Sequence, residues 1–205
     1  MNICTFDIES TGVEAMCCEM ITAYFHCTEF ENYDFKSQVS NWSYEAQEIH
    51  KITEMEMLTY APKSAAIGAL YVYLDSLPKD TLYVCYCNTN QMGEFFHYDK
   101  AVIVMAFEFA GYKFDMSNIV SAHSMAKEAY KRNLFKPQKR LSATGKTMND
   151  FTQSGVFEAL FNYKPDVVHE AKSDVLHLCK IYNELEDILR TGRVAGNIQQ
   201  QEFLI

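Results

Sequence analysis

The amino-acid sequence predicts an α/β layered domain, one sheet covered by helices, with an α+β arrangement as its near variant. Three observations predict it. Short β-branched and aromatic runs crowd the N-terminus, helical periodicity dominates the remainder, and one further apolar run of strand length interrupts the helices. A chain of 205 residues, 48% hydrophobic and 22% charged, carries enough apolar material for one ordinary core. Disordered and fibrous classes are excluded on the same grounds.

In order along the chain, Asn2 to Ile8, Cys18 to Cys27 and Tyr33 to Val39 read as three strands joined closely enough for a meander. Pro62 to Leu77 sets Ala66, Leu70, Tyr73 and Leu77 at helical spacing and stops before Pro78. Thr81 to Cys87 reads as a buried strand, in which Cys85 and Cys87 are core thiols. Helices are then expected over Asp99 to Ala110, Ala122 to Lys131, Met148 to Phe161 and Asp174 to Arg190. In the last, Val175, Leu178, Tyr182, Leu185 and Leu189 form one apolar stripe, which means core packing. Gly192 ends it. The expected organisation is one domain over 1–191 and a weakly ordered tail over 192–205, with no internal repeat.

No apolar run approaches the roughly 20 residues of a membrane helix, and Met1 to Phe6 lacks the features of a signal peptide. The seven cysteines form no CxxC pair, so neither a disulfide framework nor a zinc ribbon is suggested and a cytoplasmic setting is expected. A net charge of −9 argues against a polyanionic partner, yet the average hides a reversal. Lys127, Lys131, Arg132, Lys136, Lys139, Arg140 and Lys146 cluster in one segment with the single acid Glu128. Such a run is either a solvated face or a phosphate-binding one.

Two places carry chemistry. In Phe6-Asp7-Ile8-Glu9-Ser10-Thr11-Gly12, side chains alternate along a strand, so Asp7 and Glu9 share a face while Phe6 and Ile8 pack on the other. Two carboxylates held so close repel unless a proton or cation lies between them, and hard divalent ions favour oxygen ligands. A metal site is the economical reading; a plain strand terminator is the alternative. The second place is His169-Glu170-Ala171-Lys172-Ser173-Asp174. On one continuous helix His169 and Asp174 would stand about 140° apart, so they converge only if His169 lies on the loop before it. Ser173 is the expected N-cap, which puts Asp174 in the first turn. Structural roles suit both as well, because an acid there complements the helix dipole.

FDIESTG followed much later by HEAKSDV resembles the first and third motifs of the DEDDh family of 3′→5′ exonucleases, in the ribonuclease H-like superfamily with RNase T and polymerase proofreading subunits. The resemblance covers nearly the whole chain. Ser43 to Thr53 stands where that family has a helix ending in an isoleucine-histidine turn. The second motif departs from the pattern: Tyr83 to Asn88 supplies strand and Asn, but the usual short step to an Asp becomes the longer run to Asp99. Asp99 is preferred because the apolar helix follows it; Glu94 is its rival.

The resemblance implies a five-stranded mixed sheet flanked by helices, with Asp7, Glu9, Asp99 and Asp174 binding two Mg²⁺ or Mn²⁺ ions. It makes His169 the general base, since an ordinary imidazole pKa near 6.5 suits proton transfer at neutral pH. It places Ser10, Thr11 and Gly12 beside the terminal nucleotide and Ile49 with His50 against its sugar and base. Lys136, Lys139 and Arg140 of the basic segment are expected to contact the strand. The expected partner is a single-stranded 3′ end, DNA ahead of RNA, with a polymerase or repair protein as a further partner and no membrane. An exoribonuclease or short-oligonucleotide nuclease of the same fold is the rival, and a silent binding adaptor the rival from another class.

Three further patterns are weaker. Thr144-Gly145-Lys146-Thr147 imitates a P-loop end without its first glycine, where Arg140 stands. His123 and His177 are expected to be structural or exposed. Phe95, Phe96 and Tyr98 could stack on bases or simply pack.

Overall fold

The computed structural model describes residues 1–12, 17–86, 97–165 and 169–195. In chain order its elements are β1 (Ile3–Ser10), β2 (Met20–Cys27), β3 (Tyr33–Lys36), α1 (Tyr44–His50), α2 (Glu54–Met57), α3 (Lys63–Ser76) and β4 (Leu82–Cys85). They continue with α4 (Tyr98–Phe109), β5 (Ile119–Ser121), α5 (Ala122–Lys131), β6 (Lys139–Leu141), β7 (Thr147–Asn149), α6 (Gln153–Phe161) and α7 (Ala171–Thr191). Contacts sort the chain into two compact units, Met1–Ser121 with Val167–Leu176, and Ala122–Asp166 with His177–Ile205.

The first unit holds a five-stranded sheet in the order β3-β2-β1-β4-β5. The N-terminal meander is antiparallel, whereas β4 runs parallel to β1 and β5 to β4. This is the mixed sheet that the resemblance implies. Central β1 buries Cys4, Phe6 and Ile8 on one face. On that face they join Phe25, Leu70 and Leu74 from β2 and α3, and Ile103 and Phe107 from α4, in one hydrophobic core. Burial of each large apolar side chain contributes about 1.5–3 kcal/mol. The opposite face carries the buried Thr5 and then Asp7 and Glu9, which stand in register with Tyr24 and Thr22 of β2.

Helix α1 forms where the isoleucine-histidine turn was expected. The Ser43 side chain caps it by accepting from the Ala46 N–H, and Lys51, left-handed at φ 61°, ends it. The short α2, capped by Thr53, has no counterpart in the sequence reading. Expected strand boundaries move. Strand β3 stops at Lys36 because Ser37 bridges to Ala61 instead. Strand β4 ends at Cys85, and Cys87 lies outside the described residues. Fifth-strand β5 is only three residues long, too short to show a period.

In the second unit, α5 spans the expected residues. Helix α6 begins at Gln153, not Met148: Thr147–Asn149 pairs with β6 as a hairpin, and the Thr152 hydroxyl caps the helix by accepting from the Gly155 N–H at 3.1 Å. The hairpin tip settles the P-loop imitation. The Gly145 N–H donates to the Ser142 carbonyl at 2.9 Å, and Gly145 takes φ 77°, a turn conformation that favours glycine. Helix α7 begins at Ala171, in the first unit, because the Asp174 N–H already donates to the Glu170 carbonyl at 2.9 Å. Ser173 is therefore inside the helix and is not its N-cap; its hydroxyl donates to Glu170 Oε2 at 2.7 Å. Of the apolar stripe, Leu189 is only partly buried, and Ile181 and Ile188 are fully buried. Beyond Thr191, Arg193 pairs with Glu184 and Asp187, both at 2.9 Å, and the Ala195 N–H donates to the Leu134 carbonyl. No helix among the described residues is long and apolar enough to cross a membrane.

Candidate metal centre

Strand alternation delivers Asp7 and Glu9 to one face of β1, and the first turn of α7 brings Asp174 to meet them. One carboxylate oxygen from each lies within 4.8 Å of the others. Such crowding is costly without a compensating charge. Burial, then the charges of Asp99, Glu9 and Asp174, hold the Asp7 carboxyl well above the usual carboxylate range, against the lowering contact of the Ile8 N–H. Burial and the charges of Asp174 and Asp99 push Glu9 up to about 8. The site thus keeps protons where a cation would replace them. Its donors are carboxylate oxygens alone, the set a hard divalent ion such as Mg²⁺ or Mn²⁺ prefers, so the residues fit a metal.

Asp99, 9% exposed in the first turn of α4, sends its charge to both Asp7 and Glu9 and is the largest charge acting on Asp7. Its rival Glu94 lies outside the described residues, as do Asn88, Phe95 and Phe96. His169 sits on the loop before α7, as the convergence argument required. It is left-handed at φ 62°, and its backbone N–H donates to Asp174 Oδ2 at 2.8 Å. With Glu9, Lys36, His50 and Lys172 it lines an open pocket of about 250 Å³.

A second cavity, of about 410 Å³, shares Glu9 and His50 with the first. Ser10 and Gly12 form one wall, and Ser43, Ala46, Ile49 and His50 the other. Four of the five expected nucleotide contacts therefore converge beside Glu9. The fifth, Thr11, is buried: its hydroxyl accepts from the Glu19 N–H at 2.9 Å. His50 is 5% exposed; Nδ1 accepts from the Ile52 N–H at 3.0 Å, which puts the proton on Nε2. That Nε2 has no partner among the described residues, and burial, partly opposed by the Glu56 charge, holds the ring below its usual pKa. It is a neutral donor.

Tyr98, which the sequence offers for base stacking or for packing alike, makes a hydroxyl contact that the sequence does not signal. The hydroxyl lies 2.7 Å from Ser10 Oγ and 3.2 Å from Cys18 Sγ and donates to the Gly12 carbonyl. The residue before Asp99 thereby fastens the end of β1.

The basic segment belongs to the second unit. Lys136, Lys139 and Arg140 are exposed there, with Lys139 donating to Asn149 Oδ1 and Arg140 3.4 Å from Asp150. His123 is buried against Phe151, its pKa pushed down to about 4 by burial and Lys127, while His177 packs edge-on to Phe157. Both fit a structural role. Cys85 is fully buried.

No protein-family model matches the chain, and no curated protein matches it in sequence. Solved structures do match in fold. Exonuclease I in its apo form superposes with a TM-score of 0.72 at 16% identity, over 93% of this chain and 44% of that one. E. coli Exonuclease I in complex with a dT13 oligonucleotide gives 0.73 at 15%, over 93% and 42%. The zinc-bound E. coli ExoI–ssDNA complex gives 0.71 at 16%, over 94% and 41%. The chain is similar in fold to these proteins and spans less than half the length of each.

Proposed function

We propose that the chain is a divalent-metal-dependent 3′→5′ exonuclease of the DEDDh type, acting on single-stranded DNA ends and releasing nucleoside 5′-monophosphates. The observation that carries the reading is the convergence of Asp7, Glu9 and Asp174 within 4.8 Å, on a fold shared with Exonuclease I. The DNA-bound neighbours favour DNA over RNA.

Asp7, Glu9, Asp99 and Asp174 would hold two Mg²⁺ or Mn²⁺ ions, which when bound supply charge neutralisation at the phosphate and lower the pKa of the attacking water. The remaining work falls to the chain. Ser10 and Gly12 on one wall and Ile49 and His50 on the other hold the terminal nucleoside in the cavity beside Glu9, so that the phosphodiester is presented to the carboxylates. The His50 Nε2–H, which has no acceptor among the described residues, donates to an acceptor on that nucleoside. His169, exposed on its loop, takes the proton of the attacking water on a ring nitrogen. Lys136, Lys139 and Arg140 give an otherwise acidic chain a surface that binds phosphates.

Incubation of the protein with labelled single-stranded DNA, duplex DNA and RNA, each with Mg²⁺, Mn²⁺ or EDTA, tests the reading. Mononucleotide release from single-stranded DNA, abolished by EDTA, is expected. Preference for RNA would move the assignment to an exoribonuclease, and no cleavage of any substrate would leave the binding-adaptor reading.

A further inference from the structure

The walls of the 410 Å³ cavity come from distant parts of the sequence, Ser10 and Gly12 at the end of β1 and Ser43 to His50 in and before α1. One side chain that does not line the cavity joins them. The Glu19 main chain is bonded twice to Thr11, between Ser10 and Gly12: the Thr11 N–H donates to the Glu19 carbonyl at 2.9 Å, and the Glu19 N–H to Thr11 Oγ1 at 2.9 Å. The Glu19 carboxylate reaches the other wall. Its Oε2 accepts from the Ser40 and Asn41 N–H groups at 2.7 and 2.8 Å, just before the Ser43 cap of α1, and Oε1 accepts from Lys63 at the start of α3.

The Glu19 side chain is only 10% exposed, so these are charge-assisted bonds shielded from water, the stronger kind. Burial raises its pKa, but Lys63 and the two N–H groups outweigh that and keep the carboxyl below its usual range. The clamp is therefore ionised throughout neutral pH. Loss of the carboxylate would leave two main-chain donors unpaired and free the segment before α1 to move away from the Ser10–Gly12 wall.

We propose that Glu19 is a positioning residue that fixes the separation of the two cavity walls and so sets affinity for the terminal nucleotide. The inference rests on the exonuclease reading and adds to it a determinant of substrate binding remote from the carboxylates. It touches none of the reacting atoms, so its removal acts on binding and leaves the chemical step alone.

The test is steady-state cleavage of a single-stranded oligodeoxynucleotide in Mg²⁺ by the parent, Glu19→Ala and Glu19→Gln, together with amide exchange at Ser40 and Asn41. Glu19→Ala should raise KM about tenfold, equivalent to about 1.4 kcal/mol, with kcat within about twofold of the parent, and should speed exchange at both amides. Glu19→Gln keeps an oxygen for the same two N–H groups and should recover most of the affinity; it also serves if the Ala variant fails to fold. A parent that cleaves single strands while both variants keep its KM overturns the clamp and spares the exonuclease reading. Equal losses of kcat in both variants also overturn it, since positioning of the nucleotide alone would not slow a saturated enzyme. A parent without activity on any single strand removes the exonuclease reading and the clamp with it.

Discussion

The His169 main chain and the Asp174 carboxylate are joined across the turn that opens α7, N–H to Oδ2 at 2.8 Å. This bond orients a carboxylate of the acidic cluster from a residue that also lines the 250 Å³ pocket with Glu9. The bond depends on His169 adopting φ 62°, a left-handed conformation that costs most side chains energy and that asparagine tolerates well.

His169→Asn should therefore keep the loop, the 2.8 Å bond and the fold, yet lose the imidazole. Turnover should fall by about 10²- to 10⁴-fold, the usual contribution of a general base, while Mg²⁺ and oligonucleotide affinity stay near the parent values. Rate and titration calorimetry measured side by side check this. Undiminished turnover would take His169 out of the mechanism.

The carboxylate cluster gives the metal-free protein a characteristic pH dependence. Glu9 holds its proton up to about 8 when folded against an ordinary 4.5, so its proton stabilises the fold. That stabilisation is complete below about 4.5 and is lost as pH rises through about 8, so the metal-free Tm should decline across this range. Glu9→Gln cannot ionise and should flatten the decline. Saturating Mg²⁺ at pH 8 should raise the parent's Tm and leave that of Asp7→Asn nearly unmoved. Differential scanning calorimetry with and without EDTA decides; a metal-free Tm that rises through this range would contradict the assignment.

Asp99 acts electrostatically on both Asp7 and Glu9, which leads us to expect Asp99→Asn to lose turnover by orders of magnitude, as Asp7→Asn should. Glu94→Gln should be mild. Single-turnover rates of the two variants test the assignment, and the reverse ranking would make Glu94 the fourth carboxylate.

If the exposed cations of the second unit bind phosphates as proposed, they should leave a salt signature. For single strands, log affinity falls by about 0.7 per log salt for each phosphate neutralised. Changing Lys136, Lys139 and Arg140 together to Gln should weaken binding to all sequences alike and flatten that slope, with kcat on a saturating short substrate little changed. Fluorescence anisotropy over a salt series reads both effects. A slope equal to the parent's would leave the segment a solvated face.

What was legible in the sequence was what short-range periodicity encodes. Alternation in FDIES put Asp7 and Glu9 on one face, and the helical angle between His169 and Asp174 required the loop that the structure has. Boundaries failed where a side chain redirected the backbone: Met148 looked like the start of α6, but Thr152 is its cap, and Ser173 looked like the cap of a helix that already begins at Ala171. The three-residue β5 exists through pairing with β4, which leaves no local trace. The bonds that shape the 410 Å³ cavity were invisible for the same reason. Tyr98 to Ser10 and Glu19 to Ser40 and Lys63 link residues far apart in sequence, and no spacing rule connects them.

The measurement that bears most directly on the central claim is a time course on a 5′-labelled single-stranded oligodeoxynucleotide, with the parent and Asp7→Asn, in Mg²⁺ and in EDTA. The account predicts a ladder of labelled products that shortens one nucleotide at a time from the 3′ end, in Mg²⁺ and with the parent alone. Early release of the labelled nucleotide, or an Asp7→Asn ladder as fast as the parent's, would contradict it.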